Sequence, residues 1–258
     1  MKNKKPKYYF LFKIIRGIVK FIYPKIEIVN KEFLQEPCVI VGNHAQLYGP
    51  LIGELHFPEN TYIWCESRMM NLKEVPEYAF MDFWSQKPRY IRWFYKMLSY
   101  IIAPIAVVLF NCARTIPVYR NDMRIINTFR KTSRKLQKGN SVIIFPEHNI
   151  PYNNVLWEFQ ESFINVAKFH YKHTGQEISF APMYIAPKLK KVFIGEPIKF
   201  DSSAPFEEEQ KRILKYLMDK ITETAQSLPE HTVVPYPNIP KKNYPKNTKE
   251  GACEKTRS

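Results

Sequence analysis

The sequence predicts an α/β fold: a mixed, largely parallel sheet flanked by helices and preceded by a basic amphipathic N-terminal helix. Three observations predict it. Residues 38–41, 115–119, 141–145, 178–185 and 192–194 are short runs rich in β-branched and aromatic residues and read as strands. Segments of helical periodicity separate several of them, the pattern of a sheet buried between helices. The 258 residues are 45% hydrophobic and 24% charged, with 8 Gly and 20 Pro, which supplies one substantial core and excludes collagenous, wholly disordered and disulfide-scaffold classes.

The first element spans residues 1–25, which carry eight Lys or Arg and no acid. Residues 8–23 are apolar apart from Lys13, Arg16 and Lys20, whose spacing of three or four places them on one narrow helical stripe. Those cations interrupt both the apolar core of a secretory signal and the roughly 20 apolar residues of a membrane span, so the helix is expected to lie on a membrane surface. A second apolar run, residues 97–110, contains Pro104 and follows Lys87, Arg89, Arg92 and Lys96. Its 14 residues are short for a span and fit a buried core helix or an interfacial element with its cations at headgroups, with a spanning segment as the remaining reading.

Asn121 reads as the N-cap of a helix with Met123, Ile125, Ile126, Phe129 and Leu136 on one side and Arg124, Arg130, Lys131, Arg134, Lys135 and Lys138 on the other, ending before Gly139. Asn154 reads as opening another, carrying Leu156, Phe159, Phe163 and Val166 and closing before Gly175. Residues 205–228 form a third, with Ile213, Leu217 and Ile221 inward. From Thr232 onward Pro, Lys and Asn dominate, which predicts an extended or disordered basic tail. The expected organisation is therefore a membrane-surface helix at 1–25, an α/β domain at 26–230 and the tail at 231–258.

Of the formal charge of +15, residues 1–25 hold +8 and residues 238–258 hold +4, leaving +3 for the body between them. Cationic ends on a nearly balanced body predict an anionic membrane surface as neighbour. Cys38, Cys65, Cys112 and Cys253 are far apart, with no C-x-x-C pair, which removes the usual zinc spacing and favours free thiols in a reducing compartment. His170 and His173 sit three apart on a helix, but sequence places no third metal ligand beside them. No recognised nucleic-acid module accompanies the basic segments, so nucleic acid is not expected as a partner.

In open α/β sheets, polar groups just beyond the carboxyl ends of buried strands converge on the ligand cleft. His44 follows VIVGN, Arg120 follows TIPVY and Glu147 follows SVIIFP, so parallel strands would bring a base, a cation and a carboxylate to one edge. In this order the residues resemble the PlsC-like glycerolipid acyltransferases, of the lysophosphatidic acid (1-acylglycerol-3-phosphate) acyltransferase type, over residues 26–228. The family's Asn-His-x4-Asp block is matched by Asn43 and His44 but has Gly49 in place of the Asp. Its second block ends in an Arg, matched by Arg120 in IPVYR. Its third, FPEGTRS, is matched through Phe145, Pro146 and Glu147 and then departs at His148 and Asn149. Pro182 in FAPMYI fits the fourth block, and KKVFIGEPIKF resembles the family's later strand and Gly-x-Pro turn.

The resemblance implies transfer of a fatty acyl group from acyl-CoA or acyl carrier protein to a hydroxyl of a lysolipid or glycerol-phosphate-like acceptor. The protein would sit peripherally, as a monotopic protein, on the cytoplasmic face of a membrane. It implies no cofactor beyond the thioester co-substrate and no metal. His44 would be the general base, with Asn43, Arg120, Pro146 and Glu147 binding substrate: Arg120 the acceptor's phosphate, Glu147 the acceptor's hydroxyls or Arg120. An imidazole of ordinary pKa, near about 6.5, suits a base at neutral pH. Gly49 followed by Pro50 reads as N-cap and first helical position, so the family's Asp would have both capped a helix and oriented the histidine. In its absence another acid such as Glu54 or Glu147 orients His44, a backbone carbonyl does so, or the chain is a catalytically silent lipid-binding relative.

Overall fold

The computed structural model describes residues 8–84, 87–120 and 122–248. In chain order its elements are α1 (Tyr9–Ile22), β1 (Glu27–Val29), β2 (Cys38–Gly42), α2 (Tyr48–His56), β3 (Thr61–Glu66), α3 (Val75–Ala79), α4 (Arg92–Cys112), β4 (Thr115–Val118) and α5 (Ile125–Leu136). Then follow β5 (Ser141–Ile144), β6 (Glu147–Pro151), β7 (Trp157–Phe159), α6 (Asn165–Thr174), β8 (Ser179–Ala186), β9 (Lys191–Ile194), β10 (Ile198–Lys199) and α7 (Phe206–Ser227). The sheet is mixed and mostly parallel, as predicted. The chain divides into two compact units, residues 1–24 with 63–128, and residues 25–62 with 129–258.

In the larger unit the strand order is β1-β9-β8-β2-β5, with β10 antiparallel on β8. β2 is central, and both its neighbours run parallel to it, with Ile40 opposite Ile143 on β5 and Ala181 on β8. All five residues of β2 and all four of β5 are buried, which is why their sequences, CVIVG and SVII, are continuous rather than alternating. α7 packs on β8 through Ile213, Leu217, Ile221 and Ala225, each fully buried and one turn apart. Burial of each large aliphatic side chain contributes about 1.5–3 kcal/mol. A Cβ at Gly42 would stand 2.7 Å from the Met183 carbonyl oxygen, so only glycine lets the carboxyl end of β2 approach β8 this closely.

In the smaller unit β3 and β4 are a parallel pair. α3 and α4 meet through Val75, Ala79, Ala103 and Ala106, with Met69, Val107 and Phe110 against them, the alanines allowing close helix approach. α1 packs on α4 and buries Phe12. Both helices leave large apolar side chains in the open: Phe10, Ile18, Phe21 and Ile22 on α1, and Trp93, Tyr100, Ile101 and Ile105 on α4.

Four expectations need correction. No helix opens at Asn154. Instead β6 and β7 form an antiparallel hairpin pairing Glu147 with Phe159 and Pro151 with Trp157, and α6 begins only at Asn165. The Asn153 carboxamide oxygen accepts the N–H groups of Val155 at 2.8 Å and Leu156 at 2.9 Å, and this local turn wins over helix. The apolar run 97–110 lies inside a longer helix of 21 residues, because the basic residues before it continue the helical backbone. With its preceding turn this segment is long and apolar enough to cross a membrane. α2 starts at Tyr48 behind Leu47, so Gly49 is inside the helix rather than capping it. Finally, residues 231–248 pack, burying Val233, Val234 and Asn247, where a free tail was expected. The N-cap expected at Asn121 and residues 249–258 of the tail lie outside the described residues; α5 itself begins at Ile125.

Candidate functional site

β2 delivers Asn43 and His44 to its carboxyl end. The Asn43 carboxamide donates to the Ile185 carbonyl at 3.1 Å and accepts the Ile185 N–H at 2.7 Å. It imitates a further peptide unit of β2 beside β8, and with 1% of its surface exposed it serves the sheet rather than a ligand. The next residue, His44, is half-buried. Ala45 and Gln46 follow in the left-handed region, at φ 46° and 55°, before α2 begins. Two consecutive non-glycine residues there store strain, and such strain persists only where the surroundings over-determine it.

Glu147 is one source of that determination. It lies just after β5 on the parallel neighbour strand, and its Oε2 accepts the His44 N–H at 2.5 Å while Oε1 accepts the Trp157 N–H at 2.9 Å. Fully buried, its carboxyl is pushed up to about 7 by desolvation, against the pull of its two N–H donors. The expected contact of Glu147 with acceptor hydroxyls or Arg120 is therefore replaced by a clamp between the His44 loop and the β6–β7 hairpin. Pro146 is buried, and its carbonyl accepts the Gln160 N–H at 2.9 Å.

Two rings flank the imidazole. Phe145 lies 5.2 Å from it between centroids at an interplanar angle of 62°, and Tyr236 5.9 Å at 78°. Tyr236 also meets Trp157, 6.5 Å away. Position 49 is closed to a side chain: a Cβ at Gly49 would stand 2.5 Å from the His44 carbonyl oxygen and 3.0 Å from the edge of the Phe145 ring. The Gly49 N–H meanwhile donates to that same carbonyl at 3.1 Å.

Tyr236 arrives on a strap, residues 231–248. Gln46 donates to the Pro237 carbonyl at 3.1 Å and accepts from the Tyr244 hydroxyl at 3.1 Å. Thr232 bridges Lys246. Asn247 accepts the His231 N–H at 2.7 Å and donates to the Ala225 carbonyl at 2.7 Å, tying the strap to the end of α7, while the His231 ring bonds the Tyr184 hydroxyl at 2.8 Å.

The structure thus brings His44, Asn43, Pro146 and Glu147 together in the larger unit. Arg120 belongs to the smaller unit, where it follows β4 and pairs with Glu66 at 3.5 Å. A cavity of about 730 Å³ lined by Glu36, His170, Glu177 and Lys199 opens at the amino ends of β2 and β8, the opposite edge from His44. There His170 bonds the Ser133 hydroxyl through Nδ1 at 2.9 Å, and His173 Nδ1 lies 2.7 Å from the Phe169 carbonyl. Sequence reasoning missed Phe145 as a wall of the site, although FPE contained it, and missed Trp157 and Tyr236. The proline-rich setting of Tyr236 gave no signal.

Fold and site define an α/β protein with a half-buried histidine at the carboxyl end of its central parallel strand, held by a buried glutamate and framed by aromatic rings. No family model and no curated protein matches the sequence. Among solved structures the chain is similar to the 1-acyl-sn-glycerophosphate (LPA) acyltransferase PlsC from Thermotoga maritima, at 15% identity and a TM-score of 0.45, over 87% of this chain and 83% of that one.

Proposed function

We propose that the chain is a peripheral membrane acyltransferase that moves a fatty acyl group from acyl-CoA or acyl carrier protein to a hydroxyl of a glycerol-based phospholipid precursor. The observation that carries this reading is the His44 imidazole itself, half-buried on a strained loop that Glu147 clamps from the neighbouring strand. An imidazole nitrogen takes the proton of the acceptor hydroxyl as its oxygen attacks the thioester carbonyl. The C–S bond then breaks, and the departing thiolate takes the proton back from the imidazolium. The His44 amide is engaged by Glu147, so stabilisation of the oxyanion falls to other donors. Arg120 keeps its part as phosphate ligand from its place in the sequence pattern alone.

Support for a membrane site comes from the exposed apolar faces of α1 and α4, together with Lys13, Arg16 and Lys20 on α1 and Arg89, Arg92 and Lys96 where α4 begins. On this reading the chain sits peripherally, as a monotopic protein, on the cytoplasmic face of the membrane. The deciding experiment is thioester cleavage with a panel of lysolipid acceptors. Thiol release by the wild type, lost in His44→Ala, is expected; release that persists undiminished in His44→Ala rejects the assigned base.

The closed position at Gly49 favours a second reading, a catalytically silent lipid- or acyl-carrier-binding relative, since the family's carboxylate has no room there. It requires binding to vesicles or acyl thioesters without turnover.

A further inference from the structure

We propose that Tyr236 is a positioning residue for His44, and that the strap of residues 231–248 that carries it governs access to the imidazole. As a statement about catalysis this rests on the acyl-transfer reading; as a statement about access it does not. The strap lies wholly beyond residues 26–228, where the motif pattern runs, yet Tyr236 on it meets the ring that the reaction uses, as well as Trp157.

A carboxylate beside a catalytic histidine fixes the plane of the ring and the tautomer it adopts. Here the carboxylate position is occupied by the His44 carbonyl and the Phe145 edge. The two flanking rings constrain the orientation of the imidazole. Phe145 and Tyr236 stand at steep angles to the imidazole, 62° and 78°, and rotation of the ring would drive it into one or the other. Phe145 is fixed at the end of β5 in the core. Tyr236 is held by a surface segment, through Trp157 at its ring and the Gln46 bonds to Pro237 and Tyr244, both of which follow it in the chain. Gln46 is two residues from His44 and in the left-handed region, so the strap also braces the strained loop from outside while Glu147 braces it from within. Tyr236 is half-exposed and its segment, which carries one backbone bridge of its own between Thr232 and Lys246, is tied to the body by side-chain bonds rather than by the main sheet, so it is the part of the frame that opens most readily.

The test compares full-length wild type with Tyr236→Leu and Tyr236→Phe by two measurements. The first is thioester turnover. Tyr236→Leu is expected to lower kcat about tenfold or more with KM changed less than about twofold, and Tyr236→Phe, which keeps the ring, to restore kcat. The second is the rate at which diethyl pyrocarbonate modifies His44, followed by mass spectrometry of its peptide. Tyr236→Leu is expected to speed this about fivefold, and Tyr236→Phe to leave it at the wild-type rate. Should Tyr236→Leu not fold, Gln46→Ala releases the strap's bonds to Pro237 and Tyr244 and is expected to raise the His44 modification rate likewise. Unchanged modification in a folded Tyr236→Leu or Gln46→Ala protein overturns the proposal. A fall in kcat that Tyr236→Phe fails to rescue overturns the role of the ring. If the wild type turns over no thioester, the acyl-transfer reading fails while the modification rates still decide whether the strap guards His44.

Discussion

Glu147 Oε2 accepts the backbone N–H of His44 at 2.5 Å, so a carboxyl group reached through 103 residues of chain fixes the loop on which the imidazole is mounted. In the fold this group keeps its proton up to about pH 7, whereas its ordinary value is 4.5. Its proton uptake therefore favours the folded state fully below pH 4.5, and that contribution is lost as pH rises through 7. Glu147→Gln cannot titrate and presents an amide donor to one of two N–H groups, costing about 1–3 kcal/mol. Urea unfolding at several pH values should show the advantage of wild type over Glu147→Gln shrinking by roughly 3 kcal/mol between about pH 4.5 and pH 8. An advantage that stays constant over that range rejects the buried titration.

Gly49→Asp should not create a better enzyme. Its Cβ would meet the His44 carbonyl at 2.5 Å and the Phe145 ring at 3.0 Å, and the backbone contact cannot be relieved by a side-chain rotation. Overpacking of this kind costs about 1–3 kcal/mol. Calorimetry should find Gly49→Asp and Gly49→Ala both less stable than wild type, with thioester turnover lowered in each. A stable Gly49→Asp protein with raised turnover contradicts the closed position.

Asn43 is assigned to the sheet, and Asn43→Ala leaves the Ile185 N–H and carbonyl without their buried partner. The expected loss is about 2–4 kcal/mol of stability. Acceptor KM in the folded fraction should stay near the wild-type value, because the side chain contacts β8 rather than the cleft. A large rise in KM with stability intact would return Asn43 to substrate binding.

The membrane reading places Phe21, 91% exposed, and Phe10, 77% exposed, in lipid. Phe10→Glu with Phe21→Glu should leave the melting temperature within a few degrees of wild type and abolish sedimentation with vesicles containing anionic lipid. Replacing Lys13, Arg16 and Lys20 by Gln should weaken binding by about 1 kcal/mol per charge and remove much of its salt dependence. Undiminished vesicle binding by both variants would move the contact elsewhere.

Much of this architecture was legible in the sequence, because the central strands are buried on both faces and so read as continuous apolar runs, β2 and β5 foremost. α7 was legible for a similar reason, its inward positions recurring every four residues. The β6–β7 hairpin was not. Leu156 and Phe159 are three apart, a helical spacing, and only the side-chain turn at Asn153 diverts them. At the site, His44 and Glu147 were visible as polar residues after strands, but the role of Glu147 depends on its burial, which its sequence neighbours do not reveal. The strap was hidden for a different reason: its hold on the body comes from scattered Asn, Gln, Tyr and His bonds over 22 to 198 residues, with no periodicity to detect.

The order in which the chain is made has a consequence for this centre. His44 leaves the ribosome before Phe145, Trp157, Tyr236 and the Asn247 tether, which follow at increasing delay, so the loop waits while 191 further residues are added, from Gln46 as far as Pro237. Such remote closure is slow compared with local pairing. A nascent chain halted before residue 236 would carry the histidine loop without its outer brace, which forms only once residues 231–248 have emerged and docked.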